Sequence, residues 1–168
     1  MSMVDGTASP VRLLLVEDEP ANRALVRAIV ARASTRGIGD FDLVEAEDLV
    51  TARRLVASER FRAILLDVRL PDGSGLDLVP ELTDGDDRPW VVVMSASVHI
   101  DEQVRAIGAG ADLFVGKPIE PSELLEILGR AAGAAPARGS GSGPSITESE
   151  AHADPVEAGR SDESVVQR

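Results

Sequence analysis

The segment LLLVEDEP, from Leu13 to Pro20, places three consecutive carboxylates directly after a run of aliphatic residues. An uninterrupted aliphatic run is typical of a strand that is covered on both faces of a parallel sheet. The acids that follow, Glu17, Asp18 and Glu19, repel one another and favour water or a cation nearby. The segment therefore predicts a buried strand that ends at a polar site. Pro20 suits the first position of a helix, where an N–H group is not needed.

Five repeats of a strand followed by a helix extend outward from this segment. Strands are predicted over residues 11–17, 41–46, 61–67, 90–96 and 112–117, and helices over 21–33, 49–59, 76–83, 100–111 and 121–133. This alternation predicts an α/β fold with a parallel sheet and right-handed crossovers. Pro80 predicts that the third helix is short or irregular. In the first helix, the 3–4 spacing places five residues on successive turns as the inward face: Ala21, Leu25, Ala28, Ile29 and Arg32.

Composition and charge exclude several classes of function. The chain has 168 residues, of which 29 are acidic and 17 are basic, for a formal charge of −12. Such a chain offers no basic patch for nucleic acid and no attraction to an anionic membrane, so we expect neither partner. There is no cysteine, no secretory leader pattern at the N-terminus and no apolar run of the ~20 residues that a membrane span requires. These features predict a cytoplasmic protein.

The character of the chain changes near Ala134. Residues 134–168 are rich in Gly, Ser, Pro, Ala and acids and contain no aromatic residue. A segment of this composition buries too little surface to offset the entropy of ordering. We therefore predict one domain over residues 10–133, a disordered N-terminus over residues 1–9 and a disordered tail over residues 134–168.

Polar residues stand at the carboxyl ends of four predicted strands. The first strand ends in Glu17 and Asp18, and the third ends in Asp67. The fourth ends in Ser95, and Lys117 ends the fifth. Ligands of open parallel sheets bind at the carboxyl ends of the strands, where the strand order reverses. If the order is 2-1-3-4-5, these four strands are neighbours and their polar ends converge on one shallow cleft. Each residue alone would be an ordinary loop or cap residue.

The chemistry of such a cluster is narrow. Oxygen-only ligands that keep several waters suit Mg²⁺, and clustered carboxylates need a cation. Phosphoryl transfer requires a nucleophile, a divalent metal and positive charge near the phosphoryl oxygens. Asp67 would be the nucleophile, and Ser95 and Lys117 would supply a hydrogen bond and a positive charge. The sequence thus predicts a Mg²⁺-dependent phosphorylation site.

Four motifs, in this order, resemble the receiver domain of bacterial two-component response regulators: LLVEDEP, ILLDVRLPDGSGLDL, VVVMSAS and LFVGKPIE. The resemblance covers about residues 10–133 and implies a flavodoxin-like, doubly wound (βα)5 sheet. It implies that Asp67 accepts a phosphoryl group from a histidine kinase or a histidine phosphotransfer protein. It also implies a metal site in which Asp18 and Asp67 bind Mg²⁺ directly, Glu17 acts mainly through a water, and the backbone carbonyl of Arg69 completes the protein ligands.

The same resemblance implies a conformational switch. Ser95 would move to hydrogen-bond the phosphoryl group, while Lys117 would pair with Asp67 and then with the phosphate. Phe114 would turn inward as Ser95 moves, and would alter the surface formed by the fourth helix, the fifth strand and the fifth helix. The Lys117–Pro118 peptide bond is expected to be cis.

Four functional interpretations follow from the residues. The main one is a stand-alone receiver, a signalling protein rather than an enzyme, that is a monomer or weak dimer and acts on a downstream protein target. The second is a pseudo-receiver scaffold that is not phosphorylated, and the intact set of site residues argues against it. The third is a metal-dependent phosphatase, which would need an acid two residues after the nucleophile, where Arg69 stands. The fourth is a fragment of a longer regulator, with the tail as an interdomain linker.

Overall fold

The computed structural model describes residues 9–97 and 99–133. Five strands form its main sheet: β1 (Val11–Val16), β2 (Phe41–Ala46), β3 (Ala63–Asp67), β4 (Trp90–Ser95) and β5 (Leu113–Gly116). Five α-helices alternate with them: α1 (Pro20–Thr35), α2 (Leu49–Ser58), α3 (Val79–Thr83), α4 (Ile100–Gly108) and α5 (Pro121–Gly133). Apart from Ser9, the two segments that we predict to be disordered lie outside the described residues.

The main sheet is parallel throughout, and its strands lie in the order β2-β1-β3-β4-β5. The register brings the strand ends level, because Asp67 in β3 lies opposite Met94 and Ser95 in β4 lies opposite Gly116. The predicted strand order 2-1-3-4-5 and the doubly wound α/β fold are therefore confirmed.

Both faces of the sheet are buried, as the aliphatic runs predict. On one face, side chains of the central strands pack with α2, α3 and α4, among them Leu14, Leu66 and Val93. On the other face, their sequence neighbours pack with α1 and α5, among them Leu15, Leu65 and Val92. Each of these side chains is at most 1% exposed. Burial of one such side chain stabilises the folded state by about 1.5–3 kcal/mol. The central strands therefore hold the polar residues at their ends in fixed positions.

The predicted inward face of α1 is wrong except at Ile29. The buried residues of this helix are Val26, Ile29, Val30 and Ala33. Ala21 and Ala28 are exposed, and Leu25 is 44% exposed. Leu25 and Val26 are adjacent in the sequence, and so are Ile29 and Val30. The 3–4 spacing therefore fits two faces of the helix about 100° apart, one through Leu25 and one through Val26. The choice between them depends on the packing of α1 against β2 and α5, which the local pattern does not contain.

The ends of the helices follow the local chemistry. Pro20 begins α1, as predicted. The third helical region is a 3-10 turn (Gly75–Asp77) followed by only five α-helical residues, in agreement with the expected effect of Pro80. Helix α4 ends at Gly108, three residues before the predicted end, and Gly110 follows with a φ of +109° that favours glycine.

The sequence does not predict a short antiparallel hairpin that follows β3, in which Arg69–Leu70 pairs with Gly73–Ser74. None of the helices in the two described ranges combines the length and hydropathy of a membrane span.

Candidate functional site

Three carboxylates meet at the carboxyl edge of the sheet. Glu17 and Asp18 follow β1, and Asp67 is the last residue of β3. One carboxylate oxygen from each of the three lies within 4.8 Å of the others. Glu17 and Asp67 are buried, at 1% and 6% exposure, whereas Asp18 is exposed at the mouth of the cluster. The structure therefore brings together acids that lie about fifty residues apart in the chain.

Lys117 joins this cluster from the end of β5. Its ammonium Nζ lies 2.6 Å from Oε2 of Glu17 and 2.7 Å from Oδ2 of Asp67. The other oxygen of Glu17, Oε1, accepts hydrogen bonds from the Asn22 side chain at 3.1 Å and from the Glu19 backbone at 3.2 Å. Both oxygens of Glu17 are thus engaged by the protein. The Lys117–Pro118 bond that follows is cis, as the resemblance implies.

The protonation of the cluster follows from its burial. Burial raises the pKa of Asp67 above its ordinary value, by more than the hydrogen bond and charge of Lys117 lower it. Burial opposes the charge of Lys117, but hydrogen bonds and charges from Asp67 and Glu17 outweigh it and raise the pKa of Lys117. Lys117 is therefore a cation at neutral pH, and one ammonium faces two buried carboxyl groups and one exposed carboxylate. A further cation would relieve the remaining repulsion.

Arg23 is a site residue that the sequence did not reveal. Its Nη1 donates hydrogen bonds to the backbone carbonyls of Glu17 at 2.9 Å and of Asp18 at 2.8 Å. The guanidinium also lies 3.5 Å from Glu45 and 3.6 Å from Glu47, so these two acids pair with α1 instead of joining the cluster. The available signal was an arginine in the first turn of the helix that follows the acid pair.

Several hydrogen bonds fix the loop that follows Asp67. The backbone N–H of Arg69 donates a hydrogen bond of 3.3 Å to Oδ1 of Asp67, and the N–H of Gly75 donates one of 2.8 Å to the carbonyl of Val68. Both oxygens of Asp72 accept backbone hydrogen bonds, at 2.9 and 3.0 Å, from the first two residues of α2. The tip of the hairpin is therefore attached to the N-terminus of a neighbouring helix. The metal-binding role of the Arg69 carbonyl stays a prediction.

The contacts described for the two predicted switch residues, Ser95 and Phe114, are with residues outside the acid cluster. Ser95 is 1% exposed, and its hydroxyl donates a hydrogen bond of 2.8 Å to Oε2 of Glu102 in α4. The same hydroxyl accepts a hydrogen bond of 3.1 Å from the backbone of Ser97. Phe114 in β5 is partly buried and packs against the core cluster beneath α2, α3 and α4.

Comparison with known proteins agrees with this fold and this site. The model of the response regulator receiver domain family matches residues 13–129. The chain therefore belongs to the response regulator receiver domain family. PilR of Pseudomonas aeruginosa, a response regulator, is 35% identical over 120 residues, which are 71% of this chain and 26% of PilR. Other curated relatives are matched over about half of their length, at 47% and 48%.

Two solved structures have informative ligands. The receiver domain of the sensor histidine kinase PA1611 from Pseudomonas aeruginosa has a magnesium ion in its active-site cleft. It is 26% identical, with a TM-score of 0.64, and the match covers 75% of this chain and all of that one. A response regulator from Burkholderia pseudomallei has a phosphorylated aspartic acid and a calcium ion. It is 25% identical, with a TM-score of 0.59, and the match covers 72% of this chain and 68% of that one.

Proposed function

We propose that Asp67 accepts a phosphoryl group from a histidine kinase or a histidine phosphotransfer protein, in a step that depends on Mg²⁺. One observation carries this proposal: the Asp67 carboxylate lies 2.7 Å from the Lys117 ammonium and within 4.8 Å of ligand oxygens from Glu17 and Asp18. A nucleophile, a cation and an oxygen-ligand metal site thus occupy one small region. We also propose that residues 10–133 form the receiver domain.

The donor set suits Mg²⁺. All three ligand side chains are carboxylates, which a hard cation prefers, and exposed Asp18 leaves room for the waters that Mg²⁺ retains. Asp18 and Asp67 would bind directly, and the Arg69 carbonyl would complete the protein ligands. Glu17, which is 1% exposed and accepts three hydrogen bonds from the protein, would act mainly through a water. When bound, the ion neutralises charge on the phosphoryl oxygens and on the carboxylates.

Asp67, Lys117 and Ser95 have separate roles in the reaction. A carboxylate oxygen of Asp67 forms a bond to phosphorus, while the bond between phosphorus and the donor histidine nitrogen breaks and its electron pair stays on that nitrogen. The Lys117 ammonium, already beside Asp67, stabilises negative charge on one phosphoryl oxygen. The Ser95 hydroxyl donates a hydrogen bond to another after leaving its present partner. An acyl phosphate on Asp67 results.

The readout of this event is a surface for other proteins. Helix α4 exposes three large apolar side chains at helical spacing, Ile100, Val104 and Ile107, each at least 47% exposed. An exposed apolar stripe is typical of an interaction site, and it supports signalling through α4, β5 and α5 to a downstream protein. We propose a signalling protein that catalyses its own phosphorylation and dephosphorylation, as a monomer or weak dimer. Phosphorylation would shift the balance between two conformations of this surface.

A second candidate is a receiver that forms part of a longer regulator. The chain matches only 26% of the length of PilR and about half of several other relatives, and this favours it. An immunoblot of the native source with an antibody against residues 10–133 distinguishes the two. A stand-alone receiver gives a band near 17.7 kDa, whereas a longer regulator gives a larger one.

Intact mass spectrometry tests phosphorylation directly. The full chain is incubated with Mg²⁺ and a small acyl phosphate donor, and we expect one added phosphoryl group. The addition should be absent without metal and in Asp67→Asn. It should persist in Asp77→Asn, which removes an exposed acid close in sequence. No addition to the unmodified chain, under conditions where another receiver reacts, would favour the pseudo-receiver.

A further inference from the structure

The hydroxyl of Ser95 has a partner that the proposed reaction does not use. A hydroxyl has one proton to donate and two lone pairs to accept. In Ser95 that proton is directed to Oε2 of Glu102 at 2.8 Å, while the Ser97 backbone N–H occupies an accepting position at 3.1 Å. Ser95 is 1% exposed, so water does not replace either partner easily. The single proton of the hydroxyl is therefore already donated within the protein.

Glu102 occupies an unusual position for this interaction. It is the third residue of α4, a position from which a glutamate often reaches back to the first backbone N–H groups of its own helix. Its side chain instead extends to β4 and accepts a hydrogen bond from Ser95. The backbone N–H of Glu102 donates to the carbonyl of His99 at 3.1 Å. The first turn of α4 is thus linked to the end of the strand that borders Asp67.

We propose that Glu102 is a positioning residue for phosphoryl transfer, which holds the Ser95 hydroxyl in the unphosphorylated chain and competes with the phosphoryl group for its proton. This inference rests on the proposed function. Phosphoryl oxygens only accept hydrogen bonds, so Ser95 can serve them only by releasing Glu102. The two interactions are mutually exclusive because one proton is shared. Glu102 therefore slows phosphorylation, and phosphorylation frees Glu102.

The freed glutamate connects the site to the proposed signalling surface. Ile100, Val104 and Ile107 lie on the same helix as Glu102 and are exposed. When the bond to Ser95 is lost, the first turn of α4 loses a link to the sheet at the moment when Asp67 is phosphorylated. Release of Glu102 would thus change the constraint on the helix that carries the apolar stripe, without any movement of the core strands.

The test measures the second-order rate of phosphorylation of the full chain by a small acyl phosphate donor with Mg²⁺. Glu102→Ala should raise this rate about tenfold, since a hydrogen bond to a charged acceptor corresponds to roughly ten- to a hundredfold in an equilibrium constant. Glu102→Gln keeps an acceptor without the charge, so its rate should lie between those of the parent and Glu102→Ala. Asp101→Ala removes the same charge from the same helical turn at an exposed position, and should change the rate by less than about twofold.

A second background separates this role from charge or folding effects. In Ser95→Ala there is no hydroxyl to release, so adding Glu102→Ala should change the rate by less than about twofold. A similar increase in both backgrounds would mean that Glu102 acts only through its charge or through α4, and would overturn the inference. Equal rates for Glu102→Ala and the parent would also overturn it while leaving the proposed function intact. Failure of the parent to be phosphorylated would overturn both.

Discussion

Lys117 donates a hydrogen bond of 2.6 Å to Glu17, which lies 100 residues earlier in the chain. Glu17 is almost completely buried, and the same ammonium also contacts Asp67. One cation therefore serves two buried acids, and the structure of the site depends on it before any phosphate or metal arrives. Lys117 is also the only lysine of the chain.

Removal of this cation should destabilise the fold. Lys117→Met keeps most of the side-chain volume but leaves Glu17 and Asp67 buried without an ammonium. We expect the free energy of unfolding to fall by about 3 kcal/mol, as is usual when one partner of a buried ion pair is lost. Chemical denaturation in EDTA measures it. Arg54→Met removes one positive charge from an exposed position on α2 and should change stability by less than about 0.5 kcal/mol. Equal losses would contradict a specific role for Lys117.

Replacement of Asp67 should have the opposite effect on stability. Burial raises the pKa of Asp67, so the folded chain binds this proton more tightly than the unfolded chain does. The ionised carboxylate therefore opposes folding at neutral pH, and the penalty disappears as the pH falls through the folded pKa towards the ordinary value of 3.8. Asp67→Asn should be more stable than the parent by about 1 kcal/mol at pH 7 in EDTA. The difference should shrink in acid. A variant less stable than the parent at pH 7 would show that Asp67 is needed for the fold.

Magnesium should make the parent more stable than Asp67→Asn, the reverse of their order in EDTA. An ion that binds only the folded state raises stability by RT ln(1 + [L]/Kd), about 2.7 kcal/mol at a hundredfold excess over Kd. The melting temperature of the parent should rise with MgCl₂ at constant ionic strength, and that of Asp67→Asn should rise much less. Asp18→Asn should also lose most of the response, whereas exposed Asp77→Asn should keep it. An equal rise in all four proteins would mean that the ion binds elsewhere.

The strand order and the acid cluster could be predicted because they depend on short-range patterns with strong physical consequences. A run such as Leu13–Val16 is stable only between two covered faces, and parallel strands place their carboxyl ends together. The residues at those ends are Glu17, Asp18, Asp67 and Lys117. Their proximity therefore follows from the topology.

The contacts that orient these residues could not be predicted, because they join segments with no local relation. Arg23 binds the backbone carbonyls of the acid pair from α1, a helix that buries Val26 and leaves Leu25 exposed. Ser95 meets Glu102 because α4 begins close to the end of β4. A glutamate in the first turn of a helix usually indicates favourable interaction with the helix dipole, and nothing in its sequence neighbours indicates a serine partner.

The hairpin after Asp67 should depend on Asp72. Its two carboxylate oxygens accept hydrogen bonds from the first backbone N–H groups of α2, and the bond from Leu49 is the main cause of its lowered pKa. Asp72→Ala should lower the melting temperature by roughly 2–6 °C at pH 7, the range for loss of a helix cap in a domain of this size. Asp72→Asn keeps one acceptor and should lie between. Because the folded pKa is depressed, the benefit is present above the ordinary value of 3.8 and is lost as the pH falls through the folded pKa. A deficit that persists in strong acid would contradict this.

The same chemical change at two glycines should have opposite effects. A Cβ atom at Gly75 would overlap the backbone carbonyl oxygen of Asp67, and a backbone atom of a buried strand cannot move aside. Gly75→Ala should therefore destabilise the fold by about 3 kcal/mol and weaken the response to magnesium, because the loop beside Asp67 is displaced. At Gly129, inside α5, the added Cβ would make only an ordinary contact of 3.7 Å with Ile38. Gly129→Ala should stabilise the helix by about 0.5–1 kcal/mol. Thermal unfolding of both variants with and without MgCl₂ measures the contrast, and equal shifts would contradict the close approach of Gly75 to Asp67.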